Sequence, residues 1–356
     1  MTIISPSTAP VTTDEHQNES VLRRLGNLQS VWILGVLVVI VAFFAIKGGG
    51  KFLSAGNFSL ISQNISVLAI LGVGMTFIII TSGIDLSIGS VLVFASVISA
   101  KVMAAIGGNS AGAVFAGVLT GLVAGGAWGW VNGFLVAKAK VPPFIVTLGT
   151  LSAALALAQV FTGGVNISID ATSLTDFGIY TKFLGIPALP FVALIVVIVG
   201  GIALHRTKFG RYTYAIGSNA EAAKRVGVKV DRHLIAVYCL AGFLSGLGAV
   251  LYLAQFGTTT IAGQSLTNLN VIAAVVIGGT SVFGGEGSMF GTMVGLFIPA
   301  VLQSGFVIIG VNPYWQGFAV GVVLIAAVYI DQTRRAAALR GAKSTRRAGS
   351  KPRPQQ

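Results

Sequence analysis

The chain has 356 residues, of which 54% are hydrophobic and 9% charged, with 47 glycines, one cysteine and a formal net charge of +13. An average soluble domain is about one-quarter charged, and mean hydropathy here is +0.87. These values exclude a soluble globular enzyme, a disulfide framework and a cysteine-rich metal site; they define an all-α, polytopic membrane protein.

Residues 1–30 are polar and read as a cytoplasmic N-terminal tail. No small-residue cleavage signature follows the first hydrophobic run, so that run is expected to remain as a helix. At about 20 residues per crossing, roughly ten spans follow: 31–46, 60–81, 86–106, 112–136, 143–162, 187–204, 234–256, 269–283, 289–309 and 313–330. The first can borrow Ile46 to Leu53, with its lysines snorkelling. The eighth, ending in Ile277-Gly278-Gly279-Thr280-Ser281, reads as broken or partly re-entrant, which is tolerated only against protein or a wet cavity. The glycine excess suits close approach of transmembrane helices, and Cys239 reads as a small packing residue. Residues 31–330 thus form the transmembrane domain, with a cytoplasmic loop at 205–233 and a basic cytoplasmic tail at 331–356.

Placing both termini inside leaves only Lys47, Lys51, Lys101 and Lys182 of the 23 basic residues outside. This is the asymmetry of the positive-inside rule. The basic tail then reads as a solvated end near anionic lipid rather than a nucleic-acid site.

Between the second and third spans, Gly83-Ile84-Asp85-Leu86-Ser87-Ile88-Gly89-Ser90 sets a carboxylate between two apolar runs. A charge there is costly and points to function. Asp85 either caps the third helix at its inner end or, with Ser87 and Ser90, borders or gates a pathway. Glu286, in a similar glycine-rich interruption, is expected to cap the ninth span. In the inner loop, Ser218-Asn219-Ala220-Glu221 reads as a capping box opening a two-turn helix. Ala222, Ala223 and Val226 would form its apolar stripe, Glu221 and Arg225 an i,i+4 pair, and Gly227 a left-handed C-terminal cap. So short a helix needs a surface, either on a partner protein or on the chain's own inner face.

Glu221-Ala222-Ala223, followed three residues later by Gly227, resembles the ATPase-docking loop of bacterial ABC importer permeases. It is joined by Thr76 to Ser90, by Val141-Pro142-Pro143-Phe144-Ile145-Val146-Thr147-Leu148-Gly149-Thr150, by Lys208-Phe209-Gly210-Arg211 with Ala215-Ile216-Gly217-Ser218-Asn219, and by Val275 to Ser281 with Gly284-Gly285-Glu286-Gly287-Ser288. In this order the segments are similar to permeases of ribose, xylose and related monosaccharide ABC importers, over about residues 31–330. Branched-chain amino-acid permeases share the region from Gly278 to Gly291 but less of Gly83 to Ser90.

The resemblance implies an ABC importer permease fold with inverted repeats, in a bacterial inner membrane, working as two permease copies. A periplasmic binding protein would deliver the sugar and a cytoplasmic ATPase would drive alternating access. Ser218, Glu221, Ala222, Ala223, Arg225 and Gly227 would dock the ATPase. The chain itself has no Gly-x-x-x-x-Gly-Lys-Ser/Thr loop to hold ATP, so no catalytic residue is expected in it; with His16, His205 and His233 outside the spans and one cysteine, no metal site is expected either, and no cofactor. By chemistry, Asn64, Asn268 and Asn270 are sugar-path candidates beside Asp85, Ser87 and Ser90, although interhelical hydrogen bonding is the commoner role of such amides. Inositol, a sugar-like signal or a branched-chain amino acid are alternative solutes. An ion-coupled carrier is the rival class, but it needs titratable groups near the midplane.

Overall fold

The computed structural model describes residues 15–261, 266–312 and, with gaps, 314–333, with side chains described from Ile33 onward. Residues 1–14 and nearly all of the 331–356 tail lie outside this description. The elements run α1 (Glu15–Phe52), α2 (Ala55–Ile80), α3 (Ile88–Ile106), α4 (Ala111–Ala137), α5 (Pro143–Thr162), α6 (Thr172–Ile179), β1 (Lys182–Phe183), β2 (Ile186–Pro187), α7 (Ala188–Arg206), α8 (Lys208–Arg225), α9 (Val230–Phe256), α10 (Thr267–Ile277) and α11 (Met289–Ile308).

Eight of these helices are long and apolar enough to cross a bilayer, beginning with Ile33–Phe52 inside α1. They fall where the first seven and the ninth spans are expected. The expected eighth span is the 11-residue α10, which reaches only about 16 Å at 1.5 Å per residue; its broken reading therefore holds. Helix returns at residues 315–322, in the expected tenth span, which is described only in part. The helix α1 extends back to Glu15, into the segment read as a tail, and is kinked at Gly49, whose φ is 54°.

Apolar all round from Val67 to Ile80 apart from Thr76, this part of α2 takes the centre of the bundle, as a helix segment without a polar side must. It is enclosed by α7, α9, α10 and α11, and Phe77, Ile78, Ile79 and Ile80 at its end are fully buried. A second tie is polar: Thr76 and Thr292 share a hydroxyl hydrogen bond of 2.8 Å between α2 and α11.

The tightest pairing is α4 with α9. Five glycines of α4, at 117, 121, 125, 129 and 133, recur every four residues and are all buried. Facing them on α9 are Gly242 and Gly246. A Cβ on Gly125 or Gly129 would overlap the Gly242 or Tyr238 carbonyl oxygen, and one on Gly133 would lie 2.7 Å from the Ile235 Cα. Backbones meet here because no side chain intervenes.

Hydrogen bonds sort the connections into two ends. At one, Lys138 and Lys140 after α4 bind Asp231 at the start of α9 at 3.1 and 2.9 Å, and α8 packs beneath α2 and α7. At the other, α6 and the β1–β2 hairpin cover the bundle, and the strand around Ile167 pairs with 257–259 through Ile169 N–H to Gly257 O and Thr259 N–H to Ile167 O, both 2.9 Å. Leu184 at the hairpin tip is 94% exposed, with φ 52°.

Candidate functional site

Three segments meet at the α8 end. The first is the 81–87 turn after α2, the second the glycine-rich 278–288 loop, and the third α8 itself. Thr207 caps α8, its side chain accepting from the Gly210 N–H at 3.4 Å. The helix then breaks at Asn219, whose backbone is extended at φ −164°.

This break corrects the expected capping box. Asn219, not Ser218, caps the second segment, its Oδ1 accepting from the Ala222 N–H at 2.9 Å. An extended residue at 219 turns the Ser218 side chain the other way, against Gly285. Among the described residues the only ion pairs are those of Asp231, so the Glu221–Arg225 pair does not form. The expected stripe is also narrower, since Ala223 alone is buried while Ala222 and Val226 are exposed. Gly227 does close the helix in the left-handed region at φ 89°. Its N–H bonds Lys224 O and the Val228 N–H bonds Ala223 O, both at 3.0 Å, the paired pattern of a Schellman cap.

The rest of α8 is held inward. Phe209 packs on Phe77 of α2 and on His233 of α9, with centroids 5.6 and 4.5 Å apart, and Thr213 bonds His233 Nε2 at 2.9 Å. Tyr214 donates to the Gly287 carbonyl at 2.7 Å. Ser82 shares its hydroxyl hydrogen between the carbonyls of Phe283 (2.8 Å) and Gly217 (3.2 Å), and the Gly285 N–H reaches Ile80 O at 2.8 Å. Ser82 holds φ 63°, a left-handed conformation that costs a non-glycine residue free energy and clusters at functional positions. A Cβ on Gly217 would overlap the Ile80 carbonyl. The turn, the loop and α8 therefore form one interlocked body.

Asp85 lies deeper than expected. Rather than standing at an open mouth, it is only 2% exposed. The helix α3 is eight residues shorter than α4 or α9 while joining α4 through a short turn at the far end. Its first turn therefore starts roughly 12 Å inside the α8 end of those helices. The Asp85 Oδ1 accepts from the Ser87 N–H (2.7 Å) and Ser87 Oγ–H (2.6 Å). Ser87 Oγ accepts in turn from Asn132 Nδ2 at 2.9 Å, and Asp85 has no cationic partner among the described residues. Its capping is local, confined to Ser87.

The amide that caps α3 from outside is Asn268. Its Oδ1 accepts from the Gly89 N–H at 2.6 Å, so this path candidate serves as an interhelical tie. Ser90 is buried in the same turn and Asn270 is half-buried on α10. Asn64 is exposed near the other end, where Gln255 lies 3.5 Å away. The candidates thus divide into Asp85, Ser87, Ser90 and Asn268 together, Asn270 beyond them, and Asn64 apart. Glu286 is exposed and Ser288 caps α11 in its stead, accepting from the Gly291 N–H at 3.0 Å.

Sequence reasoning passed over Asn132, Tyr238, Ser82 and Tyr214. Asn132 carried a usable signal, as a lone amide in a long apolar run. The others owe their roles to partners distant in sequence.

A bundle of long apolar helices with an amphipathic element locked beneath a tight turn and a glycine-rich loop fits a membrane permease, and the comparisons with known proteins give its class: the non-catalytic permease subunits of ABC importers. The chain belongs to the family described as "Branched-chain amino acid transport system / permease component", which matches residues 57–328. It is similar to the fructose import permease protein of Rhizobium meliloti, 35% identical over 93% of this chain and 94% of that one. The ribose import permease protein of Bacillus subtilis is 35% identical over 89% and 95% of the two chains. The D-allose transport system permease protein of Escherichia coli is 33% identical over 83% and 90%. No solved structure matches.

Proposed function

We propose that this chain is the membrane permease of an importer for a monosaccharide, with ribose as the default solute. On this reading two copies line the path with inverted repeats, both termini face the cytoplasm, a binding protein delivers the sugar outside and an ATPase docks on α8. The observation that carries it is the interlock of α8 with the 81–87 turn and the 278–288 loop, because it connects a largely exposed segment, 220–227, to the start of α3 and α11. The relatives named for fructose, ribose and allose support a sugar. An open cleft of about 380 Å³ between α8 and α9, lined by Phe209, Tyr212, Lys229, Arg232 and His233, suits an acidic or aromatic side chain of the ATPase.

Uptake of labelled ribose, fructose and allose into sealed vesicles, with the binding protein and ATPase supplied, tests the reading. ATP depletion is expected to abolish uptake, and Glu221→Lys or Gly227→Pro to weaken ATPase co-purification. The buried Asp85 favours a second reading, an ion-coupled carrier. Uptake that survives ATP depletion but stops with an uncoupler would establish that one and overturn ours.

A further inference from the structure

The start of α3 is a polar knot inside an apolar bundle. Asp85, Ser87, Asn132 and Asn268 are each 5% exposed or less, and they come from the 81–87 turn, α4 and α10. Two hydrogen bonds join these separate elements: Asn132 to Ser87 at 2.9 Å and Gly89 to Asn268 at 2.6 Å. Both α3 and α10 begin within the bundle, so the bond to Asn268 ties together the first turns of two helices that stop short of the opposite faces. Burying so many polar groups is costly, and a purely structural contact between two helices does not require it.

Two buried oxygens nearby have no partner among the described residues: Asn132 Oδ1 and the Tyr238 hydroxyl. The Tyr238 hydroxyl reaches the same turn, 2.7 Å from where a Cβ on Gly83 would lie, two residues before Asp85. The knot therefore holds spare donors and acceptors, which a rearranged turn can use without leaving the buried groups unpaired. A two-state element needs such a second arrangement. The same turn is anchored to α8 three residues earlier, through Ser82.

We propose that Asn268 and Asn132 are positioning residues of an inner gate: they hold the first turn of α3 closed against α10 and α4 until α8 is displaced. This rests on the permease reading for its purpose but not for its test. The test places a cysteine at Ser90 in a Cys239→Ala background and follows its alkylation by a membrane-impermeant maleimide from the α8 side of vesicles, with neither ATPase nor sugar present. Asn268→Leu and Asn132→Leu are each expected to raise the labelling rate about tenfold, the scale of one lost buried hydrogen bond. Asn268→Asp should stay at the parent rate, since a carboxylate also accepts from the Gly89 N–H at a helix start. A second reporter, Val97→Cys, further along α3 and fully buried, should remain unlabelled. Unchanged labelling at position 90, Asn268→Asp behaving like Asn268→Leu, or labelling at both reporters would each overturn the gate. Because no transport is measured, failure here leaves the importer reading standing.

Discussion

Tyr214 shows how one hydroxyl can matter more than its helix. Its O–H is a link from α8 to the 278–288 loop, through Gly287, and burial pushes it up to about 12. Below that value it is neutral and donates, so the link holds across the physiological range. Tyr214→Phe removes it with little change in shape, and the expected stability loss is about 1 kcal/mol in thermal unfolding in detergent. Stimulation of the ATPase by the binding protein should fall several-fold, equally from about pH 6 to 9, a window below the ordinary tyrosine pKa of about 10 and further below the raised value here. A pH-dependent loss would contradict this role. Asp85 was legible as an acid between two apolar runs. Its hydrogen-bonded company was not, because Asn132 stands 45 residues away from Ser87 and nothing in local spacing pairs them.

Among the elements, the crossing of α4 with α9 is the most sharply testable. Gly125 and Gly126 are neighbours in sequence with opposite surroundings: a Cβ on Gly125 would overlap the Gly242 carbonyl and sit 2.7 Å from the Gly246 nitrogen, whereas one on Gly126 meets nothing within 4 Å. Gly125→Leu should lower stability by at least about 2 kcal/mol, while Gly126→Leu should leave the unfolding temperature unchanged or slightly raised. Equal effects of the two would refute the close backbone packing. The glycine excess reads as close helix packing and Gly227 as a left-handed cap, but the four-residue spacing that sets the α4–α9 contact emerges only with the structure. The place of the break in α8 was not legible either. Asn219 and Ser218 are both good caps, and the choice fell to Asn219 when Ser218 was drawn against Gly285.

For the whole molecule, the charge pattern predicts an orientation that can be checked directly. In a Cys239→Ala background, Val226→Cys on α8, where Val226 is 80% exposed, should react only from the cytoplasmic side, and Leu184→Cys on the hairpin only from outside. The reverse pattern would invert the chain and remove α8 from reach of any cytoplasmic ATPase. The sequence by itself determined the membrane class, the positions of the described long spans, the shortness of α10 and the absence of an ATP-binding loop. Apolar length and charge are properties of local sequence that burial in lipid reads directly. Only the tertiary structure decided which polar residues meet. Gly89 and Asn268 are 179 positions apart, and they share one depth only because helices of unequal length pack so that α3 and α10 both begin inside the bundle.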